Sequence, residues 1–259
     1  MMKLRTLASG SSGNCLLISH EGAHLLVDAG ISCRRITAAL TACGVDPCGL
    51  VGVLVTHEHS DHISGLATLT KKYALPVYTS PGTARQLCYR IAAMEDLLRP
   101  MEPGEATQAG PFGLESFPTS HDAAQPMGFT AACGGRKAAI VTDLGYVSEE
   151  VLDGVLGAHL VVCEANHDVE WLKSGPYPYY LKARILGDKG HLSNEDGAAL
   201  ACQCAAHGAH TVLLAHLSAE NNTPARARQV AETTLSAGGF DNVTLAVAPR
   251  SEPSPPYEV

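Results

Sequence analysis

The sequence is poor in aromatic residues, which make up only 5% of its 259 positions, although 46% of the positions are hydrophobic. A buried core must therefore be built mainly from Ala, Val and Leu. No apolar run reaches the roughly 20 residues that a membrane-spanning helix needs, and the first twelve residues lack the apolar segment of a signal peptide. These absences predict a cytoplasmic protein without a membrane partner.

Positive charge is also scarce, with 18 Lys and Arg against 26 Asp and Glu and a net charge of −8. Affinity for nucleic-acid phosphates rises with the number of cations that a protein presents. The composition therefore excludes an indiscriminate nucleic-acid coat. A polyanionic substrate would need a local basic patch or bound metal ions.

The nine cysteines include no C-x-x-C pair, and their number is odd. Most of them lie in apolar surroundings, which favours free thiols packed as small hydrophobic side chains in a reducing cytosol. Cys202 and Cys204 lie two positions apart in an Ala-rich helical stretch and would face different directions. A metal site at this pair is therefore not expected.

Metal-ligand chemistry is concentrated at the end of one apolar run, residues 50–55. Three imidazoles and two carboxylates follow within six positions, in the order His57, Glu58, His59, Asp61, His62. The run has the length and β-branched content of a buried strand, and a strand end holds a loop still while its side chains converge. Zn²⁺ binds imidazole and carboxylate readily, and Mn²⁺ leans toward carboxylate. We interpret the cluster as a metal site; a polar surface loop is the alternative.

Other His and Asp residues follow strand-like segments further along the chain. An isolated His in such a place is more often a surface residue than a ligand. The side chains of residues 57–62 cannot complete two ions alone, however, so they need partners from elsewhere. The candidates are His121, Asp143, His216 and, more loosely, His191.

Seven motifs together resemble the metallo-β-lactamase fold and, within it, the bacterial YycJ (WalJ) group, which are relatives of RNase Z and RNase J regarded as DNA exonucleases. The resemblance extends from about Lys3 to Pro249. The motifs are Ser9-Gly-Ser-Ser-Gly-Asn14, Val27-Asp28-Ala29-Gly30, His57-x-His59-x-Asp61-His62, Thr142-Asp143-Leu144-Gly145, Glu164-Ala-Asn-His167, Gly190-His191-Leu192-Ser193-Asn194 and Leu214-Ala-His216-Leu-Ser-Ala-Glu-Asn-Asn222.

The resemblance implies two divalent metal ions, Zn²⁺ or Mn²⁺, with Fe also compatible with the ligands. The implied ligands of the first ion are His57, His59 and His121; those of the second are Asp61, His62 and His216; and Asp143 bridges both. Two ions a few Å apart activate a bridging water and clamp the oxygens of a phosphodiester. Asp61 would also orient the resulting hydroxide.

His191 lies in a loop similar to the Gly-His-Ser-type loop of RNase Z. It would donate a proton to the leaving oxygen or bind the scissile phosphate, because the following helix points its N-terminus at the anion site. A simple helix-entry turn is the alternative. Asp28, at the end of another strand, is expected to accept hydrogen bonds from the metal loop, or else to cap the helix that follows.

Three further stretches are candidates for substrate binding. The Gly-Ser loop offers Ser11, Ser12 and Asn14, whose backbone can form an anion-binding nest; an ordinary tight turn is the alternative. The loop from Trp171 to Lys189 combines four basic residues with three tyrosines, which suits phosphates and exposed bases; a solvated loop with buried Tyr is the alternative. Lys182 and Arg184 are the candidates within this loop, and Asn194 is the candidate in the third stretch.

Strands and helices alternate along the chain without a linker or repeat, and the strands fall into two batches, before and after about residue 130. We expect an α/β fold in which two mixed sheets pack face to face with helices outside, the αββα sandwich that the resemblance implies. Residues 1–249 would form one hydrolase domain, and residues 250–259 a frayed Pro-rich tail. Residues 81–98 are predicted to be helical and residues 101–110 to form turns.

The expected function is a dinuclear metal-dependent phosphodiesterase, a DNA exonuclease that acts 5′ to 3′ by resemblance. The 48 residues between Asp143 and His191 leave no room for the large insertion of RNase J. Three alternatives remain open: an RNA-processing nuclease of RNase Z type, a small-molecule hydrolase acting on thioesters or cyclic phosphodiesters, and a regulatory protein with structural metals.

Overall fold

The computed structural model describes all 259 residues, with fourteen strands and nine α-helices. The strands are β1 (Lys3–Ala8), β2 (Cys15–His20), β3 (Ala23–Val27), β4 (Leu50–Leu54), β5 (Val77–Thr79), β6 (Leu98–Pro100), β7 (Ala106–Ala109), β8 (Phe112–Pro118), β9 (Met127–Cys133), β10 (Arg136–Val141), β11 (Leu160–Glu164), β12 (Thr211–Ala215), β13 (Thr244–Val247) and β14 (Tyr257–Glu258). The helices are α1 (Cys33–Ala42), α2 (Ser60–Ile63), α3 (Leu66–Tyr73), α4 (Pro81–Arg90), α5 (Glu149–Val155), α6 (Val169–Ser174), α7 (Tyr179–Ile185), α8 (Asn194–Ala206) and α9 (Pro224–Ala237).

The strands form two seven-stranded sheets, in the orders β14-β1-β2-β3-β4-β5-β6 and β13-β12-β11-β10-β9-β8-β7. Strands β3 to β6 run parallel to one another, and so do β10 to β13. The remaining neighbours are antiparallel. Both sheets are therefore mixed, as predicted.

Alternate side chains of single strands enter different cores. In β2, Leu16 and Ile18 belong to the 22-residue core between the two sheets, whereas Leu17 packs on the opposite face with Ile36 and Leu40 of α1. Successive residues of a strand point to opposite faces, so an uninterrupted apolar strand requires cover on both sides. Helices α5, α8 and α9 supply that cover for the second sheet, which completes the predicted αββα sandwich.

The division between the sheets falls earlier than about residue 130, because β8 pairs with β9 and β7 in the second sheet. The predicted turn region contains β7, which forms a hairpin with β8. The predicted helix over 81–98 ends at Arg90, and Leu98 begins β6 beside Val77 of β5. Pairing with the sheet edge thus prevails over helical periodicity.

The C-terminal ten residues are not frayed. Tyr257 pairs with Leu4 of β1, and the side chain of Val259 is buried in the core between the sheets. None of the helices combines the length and apolarity that crossing a bilayer would require. All nine cysteines are free thiols, as predicted.

Candidate metal centre

The polar residues predicted to bind metal meet at one edge of the sandwich, where the carboxyl ends of the parallel strands of both sheets converge. Each strand delivers a residue within three positions of its end, which is how separated segments of a chain can meet at one site. These residues are Asp28 after β3, His57 after β4, His121 after β8, Asp143 after β10, Glu164 at the end of β11 and His216 after β12.

Three of the delivering residues have left-handed backbone conformations, Asp28 at φ 59°, Asp143 at 62° and His216 at 56°. Only six residues other than glycine have positive φ in this chain. Such conformations cost about 1–2 kcal/mol for a residue with a side chain, and they concentrate at functional sites. At each position the sharp turn directs a His or Asp side chain from the strand end into the site.

The first group of side chains consists of imidazoles alone. Nε2 of His57 lies 3.0 Å from Nδ1 of His59. One ring nitrogen of His121 lies within 4.8 Å of a ring nitrogen of each of these two residues. His121 donates from Nδ1 to the carbonyl of Gly190 at 3.0 Å, so its Nε2 faces the group. Burial and the neighbouring imidazoles lower the pKa of His57 well below its usual value, so its ring is neutral, as a metal ligand must be.

The second group mixes imidazole and carboxylate. Oδ2 of Asp61 lies 3.3 Å from Nε2 of His62 and 3.4 Å from Nε2 of His216. Burial opposes a charge on His216, but Asp143, Asp61 and Glu164 raise its pKa to about 10. The pKa of His62 is raised in the same way, against the effect of burial, by Asp143, Asp28 and Asp61. Negative charge therefore surrounds this second group, and it attracts cations.

Asp143 lies between the two groups. Its Oδ1 is 3.5 Å from Nε2 of His216 and 3.9 Å from Nε2 of His121, and its Oδ2 is 3.4 Å from Nε2 of His62. Oδ2 is buried and accepts no hydrogen bond. A buried carboxylate oxygen without a partner is costly, and a divalent cation would remove that cost. The donor set of imidazole nitrogens and carboxylate oxygens therefore fits a pair of divalent ions.

Asp28 contacts the metal loop from the first sheet, as the sequence predicted. Its Oδ1 accepts from the backbone N–H of Thr56 at 2.9 Å, and its Oδ2 accepts from Nδ1 of His62 at 2.8 Å. This contact fixes the ring of His62 with Nε2 directed at Asp61 and Asp143. The alternative, a cap on α1, is taken instead by Ser32.

Glu164 is the main residue that sequence reasoning missed. The carboxylate is fully buried, and its Oε1 accepts from Nδ1 of both His191 and His216 at 2.9 Å. Oε2 accepts from the backbone N–H groups of Leu144 and Leu192. Four residues here, Asp143, Glu164, His191 and His216, also lie close enough together to hold an ion, but these four hydrogen bonds already occupy Glu164. Its position at the end of an apolar strand was the available signal.

The Gly-Ser loop borders the second group, but its residues differ in what they expose. Ser11 and Ser12 are exposed. Asn14 is buried: its Oδ1 accepts from the N–H of Gly10 at 2.9 Å, and its Nδ2 lies 3.2 Å from Nε2 of His62. Asn14 therefore ties the loop to the metal centre and is not open to a substrate.

The other substrate-binding candidates already have partners within the protein. Arg184 donates to both oxygens of Asp122, from Nε at 2.6 Å and from Nη2 at 3.1 Å, and Lys182 donates to the carbonyl of Lys173 at 2.7 Å. The buried amide of Asn194 exchanges two hydrogen bonds with that of Asn222. The structure thus corrects the expectation that Asn194 contacts a substrate, and it shows Lys182 and Arg184 fastening α7 in place.

The predicted basic loop forms α6 and α7, and its tyrosines are not buried. Tyr179 is 86% exposed and Tyr180 is 74% exposed, and Trp171 is 42% exposed. Tyr180 lies four positions before Arg184, on the same helix face, and Arg184 binds Asp122 next to His121. The exposed ring of Tyr180 therefore lies on the face of α7 that approaches the metal centre, and we call Tyr180 and its neighbour Tyr179 the aromatic rim.

Comparison with known proteins agrees with this geometry. Residues 24–217 match the family model described as a β-lactamase superfamily domain. The chain is 41% identical to exodeoxyribonuclease YycJ of Bacillus anthracis, over 90% of this chain and 89% of that protein. It is 40% identical to exodeoxyribonuclease WalJ of Streptococcus pneumoniae, over 85% and 83%.

Solved structures show the same fold at much lower identity. The metallo-β-lactamase fold protein YhfI of Bacillus subtilis superposes with a TM-score of 0.73 at 19% identity, covering 98% of both chains. The matched family model spans most of this chain and the two curated relatives are similar to it over most of their length, so the chain belongs to the metallo-β-lactamase superfamily and, within it, to the YycJ and WalJ family.

Proposed function

We propose that this protein is a metal-dependent DNA exonuclease. The observation that supports it best is the convergence of six His and Asp side chains around Asp143, whose buried Oδ2 accepts no hydrogen bond. The substrate class is supported by the relatives, since YycJ and WalJ, which are 40–41% identical to this chain over most of their length, are named exodeoxyribonucleases. By the same resemblance, the strand would be degraded from its 5′ end.

The seven side chains would hold two divalent ions, Zn²⁺ or Mn²⁺, the first among the three imidazoles of His57, His59 and His121 and the second among Asp61, His62 and His216, with Asp143 shared. When bound, such a pair supplies a water of lowered pKa and positive charge for the phosphodiester oxygens. The protein contributes fixed ligand positions, because Asp28 and Glu164 each hold the far nitrogen of a ligand imidazole. Because these positions are already fixed, the ligand side chains need no reorganisation when a substrate binds.

Asp61 orients the attacking water in this proposal. Its side chain is 23% exposed, against 3% for Asp143 and 0% for Glu164, and all hydrogen bonds of its carboxylate within the protein use Oδ2. Oδ1 is therefore free to accept from a water that faces the substrate. His191 is the proton donor: its Nδ1 binds Glu164, its side chain is 18% exposed, and its Nε2 can pass a proton to the leaving oxygen.

The exposed aromatic rim favours a nucleic-acid strand over a small substrate. Stacking of a base on an aromatic side chain contributes about 1–3 kcal/mol and tolerates any sequence. Five of the seven large hydrophobic side chains that are exposed lie between residues 146 and 186, the part of the chain that contains the aromatic rim. A small-molecule hydrolase would have no use for such a surface.

The test is incubation of metal-reconstituted protein with end-labelled single- and double-stranded DNA and RNA. We expect stepwise release of nucleotides from DNA, abolished by EDTA and reduced at least about a hundredfold by Asp61→Ala. Asp153→Ala, which removes an exposed carboxylate on α5, is the matched control and should cut as the unmodified protein does. Absence of DNA cleavage by metal-loaded protein would contradict the proposal.

The same experiment separates the alternatives. Cleavage of RNA but not DNA would favour an RNase Z-type activity, and hydrolysis of thioesters or cyclic phosphodiesters alone would favour a small-molecule enzyme. Charge reversal at Lys182 and Arg184 is a poor discriminator, because both cations hold α7 against the rest of the protein. Replacement of Tyr179 and Tyr180 by Ala tests contact with the substrate more specifically, because both rings are exposed and neither supports the fold.

A further inference from the structure

The turn that follows β13 lies against the Gly-Ser loop and the metal centre. The backbone carbonyl of Arg250 accepts from the N–H of Ser9 at 3.2 Å. Ser254 then bonds twice to the backbone of Thr6, donating from its own N–H and accepting at Oγ. Ser9 in turn accepts at Oγ from the N–H of His216 at 2.8 Å. The C-terminal segment therefore forms part of the wall beside the second group of ligands.

The side chain of Arg250 lies beside Gly10, at the start of the exposed tip of the Gly-Ser loop. A Cβ at residue 10 would lie 3.1 Å from the carbonyl oxygen of Leu217 and 3.7 Å from Nη1 of Arg250. Nη2 of Arg250 donates to the carbonyl of Ser218 at 3.2 Å, which fixes the guanidinium beside the loop. Ser11 and Ser12, the exposed tip of the loop, directly follow Gly10.

Arg250 keeps most of its binding capacity. A guanidinium group carries five N–H donors, and Arg250 uses one of its nitrogens within the protein. No carboxylate lies within 4.0 Å of Arg250 or of Arg35, and Arg35 approaches the same turn by donating to the carbonyl of Ser251 at 3.3 Å. Arg250 and Arg35 thus place two cations without acidic partners next to one loop.

From this arrangement we infer that Arg250, together with the hydroxyls of Ser11 and Ser12, binds the 5′-terminal phosphate of the DNA strand, with Arg35 adding positive charge. This inference rests on the proposed exonuclease function and names the group that positions the end of its substrate. A terminal phosphate carries a charge between about −1.5 and −2 at neutral pH, against −1 for an internal phosphodiester. A guanidinium beside hydroxyl donors, supported by a second cation, matches the more highly charged group.

The loop also connects this anion site to the ligands. Asn14, at the end of the loop, contacts Asp61 and His62 through Nδ2, and its backbone N–H donates to the carbonyl of Asp61 at 2.8 Å. A phosphate held at Ser11 and Ser12 would thus be fixed relative to the residue that orients the attacking water. An end held at this position brings a phosphodiester near the 5′ end to the metal centre.

The experiment compares one DNA strand carrying either a 5′-phosphate or a 5′-hydroxyl group. We expect the reconstituted, unmodified protein to cleave the phosphorylated strand with a kcat/KM at least about tenfold higher than that for the 5′-hydroxyl strand. One hydrogen bond between charged groups is sufficient for a difference of this size. Arg250→Gln, which keeps an amide donor for Ser218, should remove most of this preference. Ser11→Ala/Ser12→Ala should reduce it about threefold or more. Arg136→Gln is the matched control, because Arg136 is exposed, has no acidic partner and starts β10 at the end opposite Asp143.

Affinity measured in EDTA provides a second readout that does not require cleavage. Fluorescence anisotropy should show tighter binding of the 5′-phosphorylated strand by the unmodified protein and by Arg136→Gln, and equal binding of both strands by Arg250→Gln. Equal cleavage and equal binding of the two strands by unmodified protein would overturn the inference while leaving the exonuclease proposal intact. If no DNA were cleaved, the exonuclease proposal would fail, and the binding ratio would still decide whether Arg250 recognises a terminal phosphate. If Arg250→Gln unfolds, the double serine variant decides, because both serines are exposed.

Discussion

The two halves of the metal centre are built in different ways from the two sheets. The first sheet supplies His57, His59, Asp61 and His62 from the single segment after β4, which ends in α2. The second sheet supplies its residues singly, from the ends of strands that are far apart in sequence. One half therefore depends on local chain geometry, and the other depends on correct assembly of the whole sheet.

Each half is nevertheless held by one buried carboxylate beneath its ligands. Asp28 receives hydrogen bonds from the N–H and hydroxyl of Thr56 and from His62. Glu164 receives them from two imidazoles and two backbone N–H groups. Glu164 thus accepts from four donors, whereas Asp28 accepts from three. The larger number of hydrogen bonds at Glu164 compensates for the lack of local constraint in the half whose ligands are dispersed in the sequence.

The largest effect is expected at Asp143, where the two halves meet. Asp143→Asn removes the charge of the shared ligand while preserving its shape, so we expect loss of at least one bound ion and a fall in kcat/KM of about a thousandfold, corresponding to several kcal/mol of metal-dependent stabilisation. Metal analysis by mass spectrometry and the DNA cleavage assay measure the two quantities. Asp153→Asn serves as control, and full activity of Asp143→Asn would show that the halves act independently.

A direct comparison of the supports is expected to give the next largest effects. An amide supplies one acceptor oxygen where a carboxylate supplies two, so Glu164→Gln leaves two of four donors without an acceptor, whereas Asp28→Asn leaves one His donor. We expect about a hundredfold loss of activity for Glu164→Gln and about tenfold for Asp28→Asn, the range found when partners of metal ligands are removed.

Thermal unfolding provides the companion measurement for the two supports. Glu164→Gln should also destabilise the protein by about 1–3 kcal/mol for each backbone N–H left unpaired, and Glu149→Gln, an exposed change on α5, should not. A greater loss of activity for Asp28→Asn than for Glu164→Gln would reverse the proposed difference between the halves.

The smallest predicted effect lies outside both halves, at the aromatic rim. Tyr179→Ala/Tyr180→Ala should raise KM for single-stranded DNA about tenfold, within the range for losing one stacked base, with kcat nearly unchanged and no loss of thermal stability. Tyr89→Ala is the matched control, because Tyr89 is 90% exposed on the outer helix α4. An unchanged KM in the double variant would show that the aromatic rim does not contact the DNA substrate.

The same contrast explains what could be predicted from the sequence. Residues 57–62 carry their chemistry within one short stretch, so the motif and its strand were recognisable. The two batches of strands and the family resemblance predicted the two-sheet sandwich. Glu164 escaped recognition because a single carboxylate after an apolar strand is also compatible with a surface residue until the partners His191 and His216 are placed. Arg250 escaped because its position depends on the contacts of the C-terminal segment with Ser9 and Ser218, which a Pro-rich terminal sequence does not indicate.

The central claim is that seven side chains from both sheets bind two divalent ions around Asp143. Anomalous X-ray scattering from crystals of protein reconstituted with Zn²⁺ or Mn²⁺ tests it most directly. We predict two peaks, one among His57, His59 and His121 and one among Asp61, His62 and His216, with Asp143 contacting both. A single peak, or peaks that lie outside the reach of Asp143, would contradict the account.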